Sequence, residues 1–548
     1  MDQPGGFDLL VVSDLHLSEG RDDKSRAFSR HEDFLVDEEF GRFLDCYRER
    51  RDRSDAGGKG WHLILNGDTF DFLQVLRLDS RAGVPCGKYG PRCGEKETVE
   101  KLKRIGAGHP IFFRSLAAFV AAGNRLTVIS GNHDAELVYP RVREEFRDQL
   151  ASALASWQKE SQVAPARTLV PISSGNVDFR QWFYYEPHLL WVEHGHQFEG
   201  WNSYKYWLAP FLPRRWGLDD AEKNDIDLPC GSFLVRYLLN RVESDDPYAD
   251  NIKPTTKYVG YLFRKHPLRA LRFALTGGWV MHWKMWRAWW PVCRPKWQER
   301  HDAHRTALAS LQDDVVARGG FPEEKADILE KLDAAKEPSV LREPRRLGVI
   351  LLRVLVLAWL ALPLLLVACF AVLGAGAVVA VRTLDVLAPG RLPRWLAGFA
   401  DVVFPWLLVV LAVLAVVLAV ALALGRLFAH VRRRKNSLPG YLAAAAKRIA
   451  DAVEVPYVAM GHTHDPELCA IGPGEAPDRS REYFNTGTWT KVYDEKARPI
   501  RDESEFDFLE GRRRGGDLRM RLNKWDAAAG EPRLARLRRV EECAGAGN

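Results

Sequence analysis

Five short tracts of the chain combine carboxylate, amide and imidazole side chains. The candidate metal ligands in them are Asp14, His16, Asp68, Asn132, His133, His194, His462 and His464. A mixed oxygen and nitrogen set without thiolate sulfur suits Mn²⁺, Fe or Zn²⁺. The set is larger than one ion needs, and a carboxylate such as Asp68 can bridge two cations about 3.5 to 4 Å apart. The tracts therefore predict a two-metal hydrolytic site.

Each tract follows a short β-prone apolar run. The runs with their tracts are FDLLVVSDLH (7–16), WHLILNGDTFD (61–71), RLTVISGNHD (125–134), LLWVEHGHQF (189–198) and VPYVAMGHTH (455–464). Amphipathic stretches intervene, such as residues 32–50, whose Phe40, Phe43 and Tyr47 fall largely on one helical face. Strands that alternate with helices predict an α/β layered domain, with the site just past the carboxyl ends of the strands.

The order of the motifs DLH, GD, GNHD, HGH and GHTH resembles that of the calcineurin-like metallophosphoesterases. The resemblance covers about residues 7–200 and 440–490, and it implies a four-layer αββα fold. It also implies two metals that hydrolyse phosphoester or pyrophosphate bonds. The tract YFNTGTW (483–489), expected to form a strand and turn beside the site, is distantly similar to one in the UDP-2,3-diacylglucosamine hydrolase branch. That branch generally has Arg where this chain has His133, which favours general phosphodiesterase or phosphomonoesterase chemistry here.

The resemblance implies a role for each residue of the motifs. Asp14, His16 and His464 would bind one metal; Asn132, His194 and His462 would bind the other, with Asp68 bridging. His133 would donate a proton to the leaving oxygen and Asp134 would orient its ring, in line with general acid catalysis. Two divalent ions are expected, Mn²⁺ foremost, with Fe or Zn²⁺ as alternatives. Motif alignment favours His194 over His196 as the ligand, and Asp71 is expected to be structural or to support a ligand.

Composition places most of the 548 residues in ordinary soluble protein, because the mean hydropathy is −0.24 and 47% of residues are hydrophobic. The eight cysteines are scattered without a CxxC pair, so a disulfide framework or zinc finger is not expected and a reducing compartment fits best. The N-terminus lacks a basic region before its short apolar run, which predicts no signal peptide.

Two long apolar runs, residues 354–381 and 402–425, contain no charged residue. Roughly 20 residues span a bilayer, so these runs predict transmembrane helices at about 348–381 and 402–428. A buried hairpin of soluble helices is the alternative. Lys and Arg are denser on the two outer flanks than in the connecting loop, which places the flanks in the cytoplasm and the loop outside.

The segment 251–298 lacks Asp and Glu but is rich in Lys and Arg. Its tryptophans at 279, 283, 286 and 290 would form one stripe on a helix. A basic segment of this kind is typical of an element that lies on anionic lipid headgroups. Packing of the stripe against the α/β domain is an equal alternative, and nucleic acid is not expected as a partner.

These observations predict the following domains: residues 1–200, the first part of a metallophosphoesterase domain; 201–345, a basic Trp-rich helical insertion; 346–430, the two membrane helices; 431–525, the final part of the domain; and 526–548, a basic tail. The predicted function is a multi-pass, membrane-anchored phosphohydrolase whose catalytic domain faces the cytoplasm. Its substrate would be lipid-linked or of the nucleotide type. The alternative is a membrane-bound binding or regulatory protein with a structural metal site. The substrate's identity and the oligomeric state stay open.

Overall fold

The computed structural model describes most of the α/β part of the chain. The described residues are 6–22, 24–53, 60–79, 83–87, 89–161, 169–211, 225–236, 240, 298–317, 327–336, 440–473, 480–491, 505–514, 517–535 and short pieces between 374 and 409.

The described residues form twelve strands and eight α-helices that we name. The strands are β1 (Asp8–Val12), β2 (Trp61–Asn66), β3 (Arg125–Ile129), β4 (Val177–Arg180), β5 (Phe183–Glu186), β6 (Leu190–Glu193), β7 (Tyr457–Met460), β8 (Pro466–Pro473), β9 (Ser480–Thr486), β10 (Glu505–Arg514), β11 (Asp517–Asp526) and β12 (Glu531–Leu534). The helices are α1 (Asp37–Arg53), α2 (Glu95–Gly108), α3 (Pro110–Ala121), α4 (Pro140–Ser161), α5 (Cys230–Leu234), α6 (Gln298–Ala317), α7 (Ile328–Ala334) and α8 (Tyr441–Val453). All five predicted strands are confirmed, and the predicted amphipathic helix begins at Asp37.

The strands form two mixed sheets. One has seven strands in the order β12-β11-β10-β1-β2-β3-β4, with β1 to β4 parallel. The other has five strands in the order β5-β6-β7-β9-β8, with β6, β7 and β9 parallel. Strands β6 and β7 are neighbours although 263 residues lie between Glu193 and Tyr457, since the chain returns to the same sheet after its long insertion.

The faces of the two sheets meet in an apolar core. Leu9, Val11 and Ile64 of the larger sheet pack in one cluster with Val192 and Ala459 of the smaller sheet. Strand residues of the opposite parity face the helices, because successive side chains point to opposite faces. On the larger sheet that layer is α1 to α4, and on the smaller sheet α8 packs on β7, β8 and β9. The layers are thus helix, sheet, sheet and helix.

Helix α1 shows why the outer layer forms. Its first turn is acidic, which complements the helix dipole. On its buried face, Phe40 and Phe43 pack edge-on against Trp489, and Tyr47 packs edge-on against Trp61. Each such pair contributes roughly 0.5–1.5 kcal/mol beyond its buried area. The aromatic layer therefore ties α1 to the tract that follows β9.

The chain divides into two compact units. The first comprises residues 1–271, 283–343 and 440–548, and the second comprises 272–282 and 344–439. Within the first unit, described parts of the insertion contact the segments after β6: Arg300 of α6 pairs with Asp227 at 3.0 Å, and the Leu208 amide donates to His304. The tryptophans between 279 and 290 lie outside the described residues, so their predicted role stays open, as do the predicted domain boundaries.

The described residues include no helix long and apolar enough to cross a membrane. The predicted transmembrane hairpin at about 348–381 and 402–428 is therefore wrong by this finding. The predicted fold class, which included this hairpin, and the predicted multi-pass membrane localisation are wrong for the same reason. An apolar run shows only that a segment avoids charge, which is a weaker condition than a continuous membrane-length helix. Most of both runs lies outside the described residues.

Candidate metal centre

The candidate ligands lie in loops that directly follow parallel strands. Strands β1, β2, β3, β6 and β7 end at Val12, Asn66, Ile129, Glu193 and Met460, and a ligand tract begins one or two residues later in each case. Because the carboxyl ends of parallel strands meet at one edge of a sheet, the five loops converge. The two facing sheets thus bring DLH, GD and GNHD from one side and HGH and GHTH from the other.

Several candidate ligands have a left-handed backbone, which is rare for residues with a side chain. The positive φ values are 55° at Asp14, 54° at His16, 48° at Asp68, 72° at His462 and 62° at His464. This conformation costs roughly 1–2 kcal/mol for each such residue. Strain of this kind collects where a structure holds side chains for a function. It also means that Asp14 and His16 are aligned by a sharp turn after β1 and not by strand periodicity.

Two glycines of the motifs allow the loops to come this close. A Cβ at Gly131 would collide with Asp68, and a Cβ at Gly461 would collide with Asp14 and Ser13. The GNHD loop therefore lies directly against the GD loop, and the GHTH loop lies directly against DLH.

Cluster one comprises Asp14, His16 and His464. The His464 Nε2 atom lies 3.3 Å from Asp14 Oδ1 and 3.2 Å from His16 Nε2. The backbone amide of His462 donates to Asp14 Oδ2 at 3.0 Å, which fixes the carboxylate. All three side chains turn a possible ligand atom toward a common volume. Cluster one can therefore hold a cation.

Cluster two comprises Asp68, His194 and His462. The His194 Nε2 atom lies 3.1 Å from Asp68 Oδ2, and its Nδ1 donates to the Asn66 carbonyl oxygen at 3.0 Å. The second contact leaves the Nε2 lone pair directed at the cluster, as in most metal-binding histidines. Asp68 Oδ2 also lies 3.8 Å from His16 Nε2 of cluster one. Asp68 therefore stands between the two clusters, where the resemblance implies a bridging ligand.

Some buried polar atoms at the site make no hydrogen bond with described residues. Among them are Asp14 Oδ1, Asn132 Oδ1 and His194 Nε2. His464 and Asp68 approach the first and the third within 3.3 Å, but without the geometry of a hydrogen bond. Buried polar groups without partners are costly, whereas atoms directed at a bound cation need no hydrogen bond. The donor set, with carboxylate, amide and imidazole atoms, fits a divalent cation.

The electrostatics of the site also favour a cation. Burial alone would raise the pKa of Asp68, but the His194 and His133 imidazoles hold it well below its usual range. Burial opposes protonation of His194, yet the Asp68 and Asp14 carboxylates raise its pKa to about 9. Two buried carboxylates that stay ionised produce a negative potential, which a proton or a metal ion can neutralise.

The partner of the His133 ring is Asp71. His133 Nδ1 lies 2.5 Å from Asp71 Oδ2, and the imidazoles keep the pKa of Asp71 below its usual range against the effect of burial. Asp134 instead accepts hydrogen bonds from the amides of Gly131 and Thr69. Burial and the nearby Asp68 carboxylate raise the pKa of Asp134 to about 7. The carboxylate that contacts the His133 ring, and so can orient it, is therefore Asp71 and not the expected Asp134.

The second histidine of the HGH tract is buried but turned elsewhere. His196 Nε2 lies 2.8 Å from the side-chain nitrogen Nε2 of Gln197, and the His196 ring packs edge-on against Trp207. Burial holds the pKa of His196 well below its usual range. His196 is therefore a neutral packing residue, which leaves His194 as the ligand candidate of this tract.

Sequence reasoning missed two residues at the site and understated a third. Asp71 carried a signal, because it follows Asp68 by three residues in GDTFD. Thr488 of the NTGTW tract donates to the Asp14 carbonyl oxygen at 2.6 Å and so supports the DLH turn. Glu199, which contacts His462, carried no signal beyond its closeness to His194 in the chain.

No protein-family model matches the chain, and no curated protein or solved structure matches it either. What the site does must therefore be inferred from its own residues. Its geometry defines a candidate metal centre, because His and Asp clusters that could hold a metal ion lie in loops at the ends of strands of the two sheets.

Proposed function

We propose that the chain is a metal-dependent phosphohydrolase. It holds two divalent cations, Mn²⁺ foremost with Fe or Zn²⁺ as alternatives, and hydrolyses a phosphoester or pyrophosphate bond. Cluster one and Asp68 would hold one cation. Asp68, Asn132, His194 and His462 would hold the other.

One observation carries this proposal. Three overlapping groups of three residues could hold a metal ion: cluster one, cluster two, and a group of His16, Asp68 and His133 that joins them. His133 also has a carboxylate partner of its own, Asp71. Asp68 Oδ1 accepts the His133 backbone amide at 2.8 Å, which fixes the distance between the bridging position and the imidazole. A structural metal site needs neither a second cluster nor a partly exposed histidine at its edge.

Cations bound in the two clusters would supply Lewis acidity toward phosphoryl oxygens and lower the pKa of water toward neutral. The protein's own contribution is orientation and proton transfer. The His133 side chain is 16% exposed and its Nδ1 faces Asp71. Its Nε2 is therefore the atom that can give a proton to the leaving oxygen, while Asp71 stabilises the positive ring before the transfer.

The substrate class follows from the same residues. An anionic phosphoryl group is the natural occupant of a cationic metal pair, and a proton donor matters most when the leaving oxygen is a poor leaving group, such as an alkoxide or a sugar hydroxyl. Phosphodiesters and phosphomonoesters of alcohols meet both parts of this description. Nucleotide-type or lipid-linked pyrophosphates meet the first part, since their leaving group is a phosphate that needs less help from a proton donor.

The test is a hydrolysis assay of the purified full chain with Mn²⁺ on bis(p-nitrophenyl) phosphate, p-nitrophenyl phosphate and a nucleotide diphospho-sugar. We expect turnover of at least one substrate that chelation abolishes and Mn²⁺ restores. Asp68→Ala should reduce turnover of every substrate that is cleaved, while the exposed Asp451→Ala should not. His133→Ala should reduce turnover little on the two p-nitrophenyl esters and strongly on a substrate with an alkoxide leaving group. Turnover that survives Asp68→Ala would contradict the proposal.

A further inference from the structure

Cluster two has a carboxylate neighbour that does not belong to it. His462 Nε2 lies 2.7 Å from Glu199 Oε2. The His462 side chain is 6% exposed and its ring packs edge-on against that of His194, with 5.3 Å between ring centres. The ring is thus enclosed on the side of the cluster and held by an acidic partner on the other side.

The position of Glu199 is itself fixed by local contacts. Asn202 Nδ2 donates to the same Oε2 atom at 2.8 Å. The Glu199 carbonyl oxygen accepts the amides of Asn202 and Ser203 at 3.0 and 2.8 Å, and its own amide donates to His196. The loop that carries His194 therefore closes into a turn that directs Glu199 at His462.

This contact decides the tautomer of His462. When Nε2 carries a proton and donates it to the carboxylate, the lone pair is on Nδ1, which is then free to bind a cation. A carboxylate behind a metal-binding imidazole also fixes the orientation of the ring. Asn66 does the same for His194 through its carbonyl oxygen.

We propose that Glu199 is a positioning residue for the cation of cluster two, acting through His462. This inference depends on the proposed function, because it assumes that cluster two binds a divalent cation. Glu199 would not bind the cation itself. Its contribution is to keep the Nε2 proton of His462 in place and the ring in its binding orientation.

The test measures Mn²⁺ binding to the full chain by competition with a fluorescent chelator, together with the visible absorption spectrum of the Co²⁺-loaded protein. Glu199→Ala should weaken Mn²⁺ binding at cluster two roughly 10- to 100-fold and leave Mn²⁺ binding at cluster one unchanged. Glu199→Gln keeps an oxygen acceptor for the Nε2 proton, so it should retain most of the affinity and the spectrum. Hydrolysis by Glu199→Ala should recover at saturating Mn²⁺.

Glu467→Ala is the matched control. Burial raises the pKa of the Tyr441 hydroxyl, and the carboxylates of Glu199 and Glu467 both raise it further, so the two lie in the same surroundings. Among the described residues, however, no ion pair joins Glu467 to a candidate ligand. Glu467→Ala should bind both ions normally. Unchanged Mn²⁺ binding by Glu199→Ala would overturn the inference alone. Equal losses in Glu199→Gln and Glu199→Ala would also overturn it, since they would make the carboxylate a direct ligand. A wild-type chain that binds no Mn²⁺ would overturn the proposed function as well.

Discussion

The two ligand clusters are positioned by different kinds of contact. In cluster two, each histidine donates a ring N–H to an acceptor outside the cluster. His194 donates to the Asn66 carbonyl oxygen at 3.0 Å, and His462 donates to Glu199 at 2.7 Å. In cluster one, the His16 and His464 Nε2 atoms face each other at 3.2 Å. Cluster two is therefore preorganised by short contacts of its own histidines.

Cluster one is instead positioned through its loop. After His16 the chain runs to Ser18 and Gly20, whose amides donate to the buried Glu32 carboxylate at 3.1 and 2.6 Å. Glu32 in turn contacts His109 Nε2, and His109 Nδ1 contacts Asp37. The geometry of cluster two thus depends on direct partners of its histidines, whereas the geometry of cluster one depends on a buried charge network one loop away.

Asp68→Asn should have the largest effect, because Asp68 belongs to cluster two and its Oδ2 atom also lies 3.8 Å from His16 Nε2 of cluster one. We expect loss of both tightly bound Mn²⁺ ions and a decrease in kcat on the order of a thousandfold or more, since metal ions contribute several kcal/mol of transition-state stabilisation. The Asn side chain still offers an oxygen to the His133 amide, so the loop should keep its shape. Metal analysis after dialysis and steady-state kinetics would measure this.

Asp451→Asn is the matched control, because Asp451 is an exposed carboxylate that pairs with Arg481. It should retain two ions and full activity. Loss of only one ion from Asp68→Asn would contradict the shared position and make the clusters independent.

Single histidine variants should separate the clusters. His194→Ala should lower the metal content from two ions to one, and so should His464→Ala, but His194→Ala should weaken binding more because its ring is fixed before the cation arrives. Titration of each variant with Mn²⁺ would give both binding constants. Loss of both ions from either variant would show that the sites fill cooperatively, against the comparison drawn above.

His133→Ala should leave metal binding intact and lower kcat roughly 10²- to 10⁴-fold on substrates with alkoxide leaving groups. With p-nitrophenolate as the leaving group the decrease should be small, because this group departs without a proton. Asp71→Asn should act in the same direction and also disturb cluster one, since Asp71 lies 3.6 Å from His16 Nδ1. Equal losses on both types of substrate would argue against a proton donor.

How much of this could be read from the sequence depends on how local each signal is. The strands and their polar ends were predictable, because an apolar run followed at once by DLH or GNHD fixes both the element and the position of the site. The partner of His133 was not, because whether Asp71 or Asp134 reaches its ring is decided by the packing of two loops 62 residues apart. Glu199 depended likewise on a turn and a partner 263 residues away.

The apolar segment between 348 and 428 shows the opposite error. Its composition was the only signal, and composition carries no information on where a helix starts or stops. The convergence of the candidate ligand tracts was predictable because each tract combines residue type, order and position after a strand. A single property, however pronounced, predicted less than three weak ones together.

The smallest effect concerns the charge network behind cluster one. Burial opposes protonation of His109, but the carboxylates of Glu32 and Asp37 raise its pKa to about 9, above the ordinary value of 6.5. A raised pKa contributes stability that is fully present below about pH 6.5 and is lost as the pH rises through 9. The shift corresponds to a decrease of about 3 kcal/mol in the free energy of unfolding over that range.

Urea unfolding of the metal-free chain between pH 6 and pH 10 would measure this, with His109→Gln as the reference because other titrating groups cancel in the difference. The stability difference between wild type and variant should shrink as the pH rises toward 10. A difference that stays constant would mean that His109 holds the DLH loop by packing alone. Cluster one would then be positioned by contacts that do not depend on the charge of His109.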